Sequence, residues 1–290
     1  MKKYVFLILL LVGSIQIEAN TANSTQNNHL KKSITELDAA FIVAVKKNRL
    51  DQVEELLQAG ANVATPIPYT WTSGDCDWNI ETSALVFAIR KDRLKLVEIL
   101  AKFDKNLNKA VEIAIFRENS DIVKVLIEEG ADVNYVKKNH GSFLISAVES
   151  TDSESQRRRI VKILLQNGAN VRYVNKYGRT ALMEAVIKHD LLCTKDILEA
   201  LEKNKGSFFS YVFGTNPINY ADSDGNTALI LAIQHVKMSY YDSEGKNDCI
   251  NSQKIIEVLL DVPGIDPDLV NKKGETARSL FEKLRAQRAC

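Results

Sequence analysis

One phrase recurs along this chain and constrains its fold more than any other feature. Ala114 to Asn134 reads AIFRENSDIVKVLIEEGADVN. Ile122, Val123, Val125, Leu126 and Ile127 crowd one side of a short helix, and Glu128, Glu129 and Gly130 end it with a left-handed cap before an extended Ala131 to Asn134. The phrase is written earlier as AVKKNRLDQVEELLQAGANV, Ala44 to Val63, with Ala and Gly again sixteen residues apart. A third copy runs from Ala147 to Val171, ends ILLQNGANV, and carries five extra residues in its middle. Self-similarity at a period of about 33 residues makes the chain a stack of small units, each of which buries its apolar face only against its neighbours.

A second signature opens each unit. Ser83-Ala84-Leu85 to Ala88, Ser142-Phe143-Leu144 to Ala147, Thr180-Ala181-Leu182 to Ala185 and Thr227-Ala228-Leu229 to Ala232 keep a hydroxyl and an Ala at one spacing. Before three openings stands a turn: Asn175-Lys176-Tyr177-Gly178-Arg179-Thr180, Asp222-Ser223-Asp224-Gly225-Asn226-Thr227 and Asn271-Lys272-Lys273-Gly274-Glu275-Thr276. Gly supplies a positive φ there, and the hydroxyl caps the helix that follows.

These motifs resemble the ankyrin repeat family, over roughly residues 37 to 285. The resemblance implies an all-α solenoid of helix-turn-helix units joined by β-turn fingers, with a concave partner-binding surface made by finger tips and first helices. The family's opening T-P-L-H-x-A lacks its Pro everywhere here, and its His is replaced by Val86, Ile145, Met183 and Ile230. Its Gly-His turn between helices is written Asn48-Arg49, Asp92-Arg93, Glu118-Asn119 and His189-Asp190. These departures bear on the regularity and stability of the repeats.

Seven units are expected, the last with one helix. First helices start near Leu37, Ser83, Asn108, Ser142, Thr180, Thr227 and Thr276; second helices run near Leu50 to Ala59, Leu94 to Phe103, Asp121 to Glu129, Arg158 to Asn167, Leu191 to Glu202 and Ser252 to Val262. In the last helix Arg278 stands where the others have Leu, the mark of an end cap. The domain reading is a signal peptide over 1–19, a flexible leader over 20–36, and the repeat domain over 37–290.

Met1 to Ala19 begins with Lys2 and Lys3, continues through an apolar run from Tyr4 to Val12, and reaches Ala19 with Ile17 two places before it. This is the form of a secretory signal peptide, too short in its apolar part for a bilayer span of about 20 residues. The expected protein is therefore a bacterial, exported one, periplasmic or secreted, with no membrane span in its mature part. The leader is rich in Asn, Thr and Ser without periodicity.

A net charge of +1 and a hydrophobic share of 45% fit a soluble globular chain and supply no basic stripe for nucleic acid. The four His share no metal-ligand spacing, no nucleophile elbow or phosphate loop occurs, and so no cofactor, metal or catalytic residue is expected. Arg157, Arg158, Arg159 and Lys162 read as a solvated helix start. His189 reads as a helix-end residue.

Function is expected in what departs from the repeat. Ala64 to Glu81 and Lys203 to Asp224 lengthen fingers, and His235 to Ser252 lengthens a turn between helices; these segments hold 10 of the chain's 21 aromatics. Tyr69, Trp71, Trp78, Phe208, Phe209, Tyr211, Phe213, Tyr240 and Tyr241 are the candidate partner-binding residues, because aromatic anchors dominate interface energetics. The alternative is that they fold back to fill gaps between irregular repeats. The resulting function is a protein-binding module or scaffold, such as an inhibitor, immunity-type protein or effector, with an enzyme built around the insertions as the competing reading.

The cysteines follow the repeat register. Cys193 falls at the slot of Leu96 and Ile122 and is expected as a buried thiol, while Cys76 lies in a finger at the opposite edge from the helix-to-helix turns. Cys249 and Cys290 fall on the same edge of neighbouring units and are the expected disulfide. For export, the expected mature N-terminus is Asn20; N-terminal sequencing of protein recovered from its native compartment checks this, and finding Met1 there refutes it.

Overall fold

The computed structural model describes residues 35–73, 76–137, 141–150, 152–203, 216–239 and 246–288. The signal-peptide segment, most of the leader, Phe208, Phe209, Tyr211, Phe213, Tyr240, Tyr241 and Cys290 lie outside them. Trp71, Trp78, Cys76 and Cys249 are described in backbone only. Two compact units divide between residues 110 and 111.

The first unit holds two helix pairs, α1 (Glu36–Lys46) with α2 (Leu50–Gln58) and α3 (Ala84–Arg90) with α4 (Leu94–Ala101). Between the pairs, β1 (Ile67–Ser73) and β2 (Cys76–Thr82) form an antiparallel hairpin, with Ile67 facing Thr82 and Trp71 facing Trp78 in register. The first insertion is thus a finger drawn out into seven-residue strands. The short α3 is buried along its whole length from Ala84 to Ile89 because it packs against α1, α4 and the hairpin at once. The division falls inside α5 (Leu107–Phe116).

The second unit continues with α6 (Ser120–Glu128), a two-residue strand pair β3 (Val136–Lys137) and β4 (Gly141–Ser142), then α7 (Phe143–Ser150) and α8 (Glu154–Gln166). Next come α9 (Ala181–Ile187) with α10 (Leu191–Lys203), α11 (Ala228–Ser239) with α12 (Lys246–Leu260), and a last first helix, α13 (Ala277–Arg288). First helices stack in the order α7, α9, α11, α13, and second helices in the order α6, α8, α10, α12. The seam between the two rows is the core: Leu144, Val148, Ile160, Val161, Leu182, Val186, Ile197, Leu229, Ile233, Ile255 and Leu259 are all buried. Cys193 sits in this seam, fully buried, as the register requires.

Two of the expected boundaries are corrected. The extra residues of the fourth repeat lengthen its second helix, which starts at Glu154 rather than near Arg158. The third insertion does not only lengthen a turn: α11 runs on to Ser239 and α12 begins at Lys246, so both helices absorb it.

The missing family residues cost little at the turns. Asn48, Asp92, Glu118 and His189 each adopt a positive φ, between 52° and 57°, at the place of the family's Gly. The following amide closes the same ring every time, Arg49 N to Ala44 O, Arg93 N to Ala88 O, Asn119 N to Ala114 O and Asp190 N to Ala185 O, at 3.0 to 3.1 Å. Asn, Asp and His tolerate this conformation better than other side chains. Glu118 is compensated, since its carboxylate accepts the backbone amides of Asp152 and Ser153 ahead of α8 at 2.6 and 3.2 Å. At the openings, Ser83, Ser142, Thr180 and Thr227 still accept the amides of Val86, Ile145, Met183 and Ile230 at 3.3 to 3.4 Å. The four residues that replace His are buried. Apolar burial there offsets the lost side-chain hydrogen bond.

The fingers repeat as closely. The side chains of Asn175, Asp222 and Asn271 each accept two amides across their turn, from Tyr177 and Arg179, Asp224 and Asn226, and Lys273 and Glu275. Adjacent fingers are bonded to one another, Ser223 N to Tyr177 O at 2.8 Å and Lys272 N to Asp224 O at 2.9 Å. Gly178 and Gly274 share a φ of +73°, but only Gly178 lies under a neighbour, where an added Cβ would stand 2.9 Å from Ser223 N. Gly274→Ala is therefore expected to cost the conformational strain alone, about 1 to 2 kcal/mol. Gly178→Ala is expected to cost clearly more because it also separates two fingers; chemical denaturation of both variants measures the difference.

Candidate protein-interaction surface

The finger ladder and the first helices place a row of polar side chains along one side of the second unit. Asn175 Nδ2 donates to Glu149 Oε1 on α7 at 2.7 Å and to Glu184 Oε1 on α9 at 3.0 Å. The row continues in the next units, where Asn271 Nδ2 donates to Asn226 Oδ1 at 2.9 Å and Gln234 Nε2 reaches the same oxygen at 3.4 Å. Arg179 lies 3.9 Å from Glu184 and 3.5 Å from Asp222, the second an ionic contact without hydrogen-bond geometry. Burial and then the neighbouring Glu149 carboxylate push Glu184 above the ordinary glutamate range, against the opposing pull of Asn175 and Arg179.

Beside this polar row the fingers expose apolar side chains at one recurring position. Val136 and Val174 pair in register with Ser142 and Thr180, the hydroxyl residues at the openings, and Val270 holds the matching place before Asn271. Their exposures are 45%, 48% and 63%. Tyr177 at a finger tip is 52% exposed, with Lys176 Nζ 4.9 Å and the Arg179 guanidinium 5.6 Å from its ring. Phe116, at the end of α5, is 74% exposed. None of these residues was a candidate on sequence; for the three valines the signal available was an apolar residue six places before the hydroxyl of each opening, Ser142, Thr180 and Thr276.

Of the sequence candidates, Tyr69 is half-buried, its ring edge-on to Phe87 at 5.8 Å, with Lys91 Nζ 5.2 Å from the ring centre. Tyr220, an aromatic of the second insertion outside the candidate set, is half-buried as well. That insertion is fastened to the following loop, because Asn219 donates to Gly264 O at 2.9 Å and accepts from Asp266 N at 3.0 Å.

The Arg-rich start of α8, read as solvated, is so only at Arg159 and Lys162, which are exposed; the expectation is corrected for Arg157 and Arg158. Arg157 is buried and donates to the buried Asp190 at 2.8 Å, while Arg158 binds Asp196 at 2.9 Å. The first pair is 33 residues apart, one repeat, so the arginine reaches from one second helix to the turn of the next unit. Asp190 also caps α10 by accepting from Cys193 N at 2.9 Å. Burial, followed by the Asp190 charge, pushes the Cys193 thiol far above its usual range, which leaves it a packing residue. His189, beyond ending a helix, binds the buried Ser252 hydroxyl at 2.6 Å and meets the His235 ring edge-on at 5.8 Å. Burial and the adjacent His189 lower the His235 pKa. Among the described residues no group of three His, Cys, Asp or Glu side chains could hold a metal ion.

A helix-turn-helix stack with hydrogen-bonded fingers defines the class. The model of three ankyrin repeats matches residues 41–137, 112–208 and 144–242, and the chain belongs to the ankyrin repeat family. No curated protein matches the sequence. Among solved structures it is similar to the ankyrin repeat domain of Bcl-3, a member of the IkappaB family, with a TM-score of 0.58 and 18% identity over 84% of this chain and 97% of that one. It is also similar to an ankyrin repeat domain from Acinetobacter baumannii AYE, at 0.54 and 23%, and to the ankyrin repeat protein EF0377, at 0.53 and 21%, each covering 70% of this chain and 92% of the other. At such identities the likeness concerns the fold.

The raised Glu184 pKa gives a pH dependence of known sign. A carboxyl that holds its proton more tightly when folded contributes stability below the ordinary glutamate value, and that contribution is lost as the pH rises through the folded value. Glu184→Gln keeps an acceptor for Asn175 and removes the charge beside Glu149. The variant is expected to melt higher than the wild type at about pH 7 and to match it near pH 4, as thermal denaturation at the two values will show.

Proposed function

We propose that this chain is an exported protein-binding module whose second unit docks a partner across its fingers. Ankyrin repeats are protein–protein interaction modules and are generally non-enzymatic scaffolds. The observation that carries the assignment is the recurring exposed apolar position at Val136, Val174 and Val270, with Tyr177 beside it. Exposed apolar side chains set in a fixed row on a rigid ladder lose little freedom on binding, which favours association. The aromatic residues of the insertions would add further anchors, in keeping with the composition of interface hot spots.

Export is supported by Lys2, Lys3, the apolar run and Ala19. Among the described residues no helix is long and apolar enough to cross a membrane. The role that fits a small, rigid, exported binder is that of an inhibitor, immunity-type protein or effector.

The test is a comparison of the full mature chain with the variant Val136→Ser, Val174→Ser, Val270→Ser. Proteins enriched by the wild type are expected to bind the variant at least about tenfold more weakly, roughly 1.4 kcal/mol, while the helical circular dichroism is unchanged. An unchanged set of bound proteins at unchanged affinity refutes the finger row as the docking surface.

A further inference from the structure

The first unit carries a feature that the stacking of repeats does not require. Its two helix-to-helix turns are basic: Lys46, Lys47 and Arg49 from one, Arg90, Lys91 and Arg93 from the next, with Asp92 the acid between them. The turns are adjacent in space, since Arg93 Nη1 donates to Val45 O at 2.8 Å and Lys46 O at 3.0 Å. Lys46, Lys47, Arg49 and Lys91 are exposed. The basic side chains also gather round the first insertion. Lys91 Nζ and the Arg90 guanidinium stand 5.2 and 5.9 Å from the Tyr69 ring, and Arg93 stands 5.6 Å from the Phe87 ring that Tyr69 meets.

One cation in the last turn of a helix is accounted for by the helix dipole. Three around each of two successive turns are not. Turns of the same construction in the second unit are balanced, Arg117 beside Glu118 and Lys188 beside Asp190. Arg93 is engaged by the carbonyls at the end of α1, and the only oxygen bonded by Arg49 is that of Gln52 among the described residues. Arg90 Nε is shielded from solvent and takes no hydrogen bond among the described residues. The patch therefore carries six cations against one acid, Asp92, on a chain whose net charge is only +1.

We infer that the basic turns around Tyr69 are a second docking surface, and that its occupant is an acidic, Asp- and Glu-rich segment of a protein partner. This inference rests on the reading of the chain as a protein-binding module. Complementary charge accelerates encounter and fixes register, and the Tyr69 ring face attracts the cations beside it. A nucleic-acid duplex is disfavoured because its affinity comes from many phosphate contacts along a stripe, and this patch is two turns wide. An anionic membrane is disfavoured because adsorption calls for an apolar face inserted beside the charge, and Tyr69 is packed against Phe87.

The test uses the full chain and three probes: a fluorescein-labelled Glu-rich peptide, vesicles containing phosphatidylglycerol, and a labelled DNA duplex. Fluorescence anisotropy is expected to show peptide binding that weakens as salt rises, since exposed charges are screened within about 8 Å at physiological ionic strength. Lys46→Gln, Lys47→Gln, Lys91→Gln together should reduce peptide affinity roughly tenfold or more, with an unchanged circular dichroism spectrum. The finger variant at Val136, Val174 and Val270 should bind the peptide as the wild type does. Equal peptide affinity in wild type and the glutamine variant overturns the proposal, as does binding of vesicles or duplex that depends on these lysines when the peptide does not bind. If the glutamine variant behaves as wild type while the finger variant loses its partners, this surface is excluded and the module reading stands; if only the peptide result holds, the surface stands and the finger row fails.

Discussion

A helix pair of this length cannot bury its apolar face by itself, and every other feature of the structure answers that constraint. The helices are seven to fifteen residues long, too short to be stable alone in water. What fixes four of the six described pairs is a single left-handed residue between the helices, followed by an amide that reaches back to the Ala of the first helix. Once that turn is closed, apolar residues of both helices face the same side and the next unit must cover them. Covering propagates from neighbour to neighbour, which is why substitutions at the family's signature positions are tolerated: Asn48, Asp92, Glu118 and His189 need only adopt the backbone conformation, and the seam supplies the energy.

Polar groups do the complementary work of setting neighbours in register. Arg157 reaches one repeat forward to Asp190, Arg93 reaches one repeat back to the carbonyls at the end of α1, and finger amides bond to the preceding finger's carbonyls. Each of these spans two successive units, so each reports that the stack is in step. A buried ion pair is costly to form but more costly to break. The Arg157 and Asp190 pair thus enforces one stacking register more than it adds to stability. The Glu149, Asn175 and Glu184 cluster follows the same logic with the opposite sign, since it brings two carboxyls together under a shared amide and raises the pKa of one.

With the seam buried and the register set, the remaining side chains are free to vary, and the two units use them differently. The second unit exposes apolar residues on its finger row, while the first gathers cations round its turns and Tyr69. A continuous backbone ladder beneath the finger row holds Val174, Tyr177 and Val270 at fixed spacing. The basic turns are likewise held by backbone, through Arg93. Rigid presentation of variable side chains is what makes such a stack suited to recognising other proteins.

The sequence by itself determined the repeat, the helix pairs, the fingers and the buried place of Cys193, because these depend on local rules: apolar spacing, a Gly or Asn at a left-handed position, and a hydroxyl at a helix start. It also located the first insertion, which the structure fills with the β1–β2 hairpin. What only the tertiary structure decided is where a polar or aromatic side chain goes once the units stack. Arg157 read as solvated because nothing local marks a partner 33 residues away, and the exposed valines of the fingers were not singled out because their exposure depends on how the neighbouring units stack. The third insertion read as a turn, whereas α11 runs on to Ser239 and α12 begins at Lys246. Local chemistry fixes the shape of each unit; the contacts between units, which no single stretch encodes, fix which of its side chains are left to meet a partner.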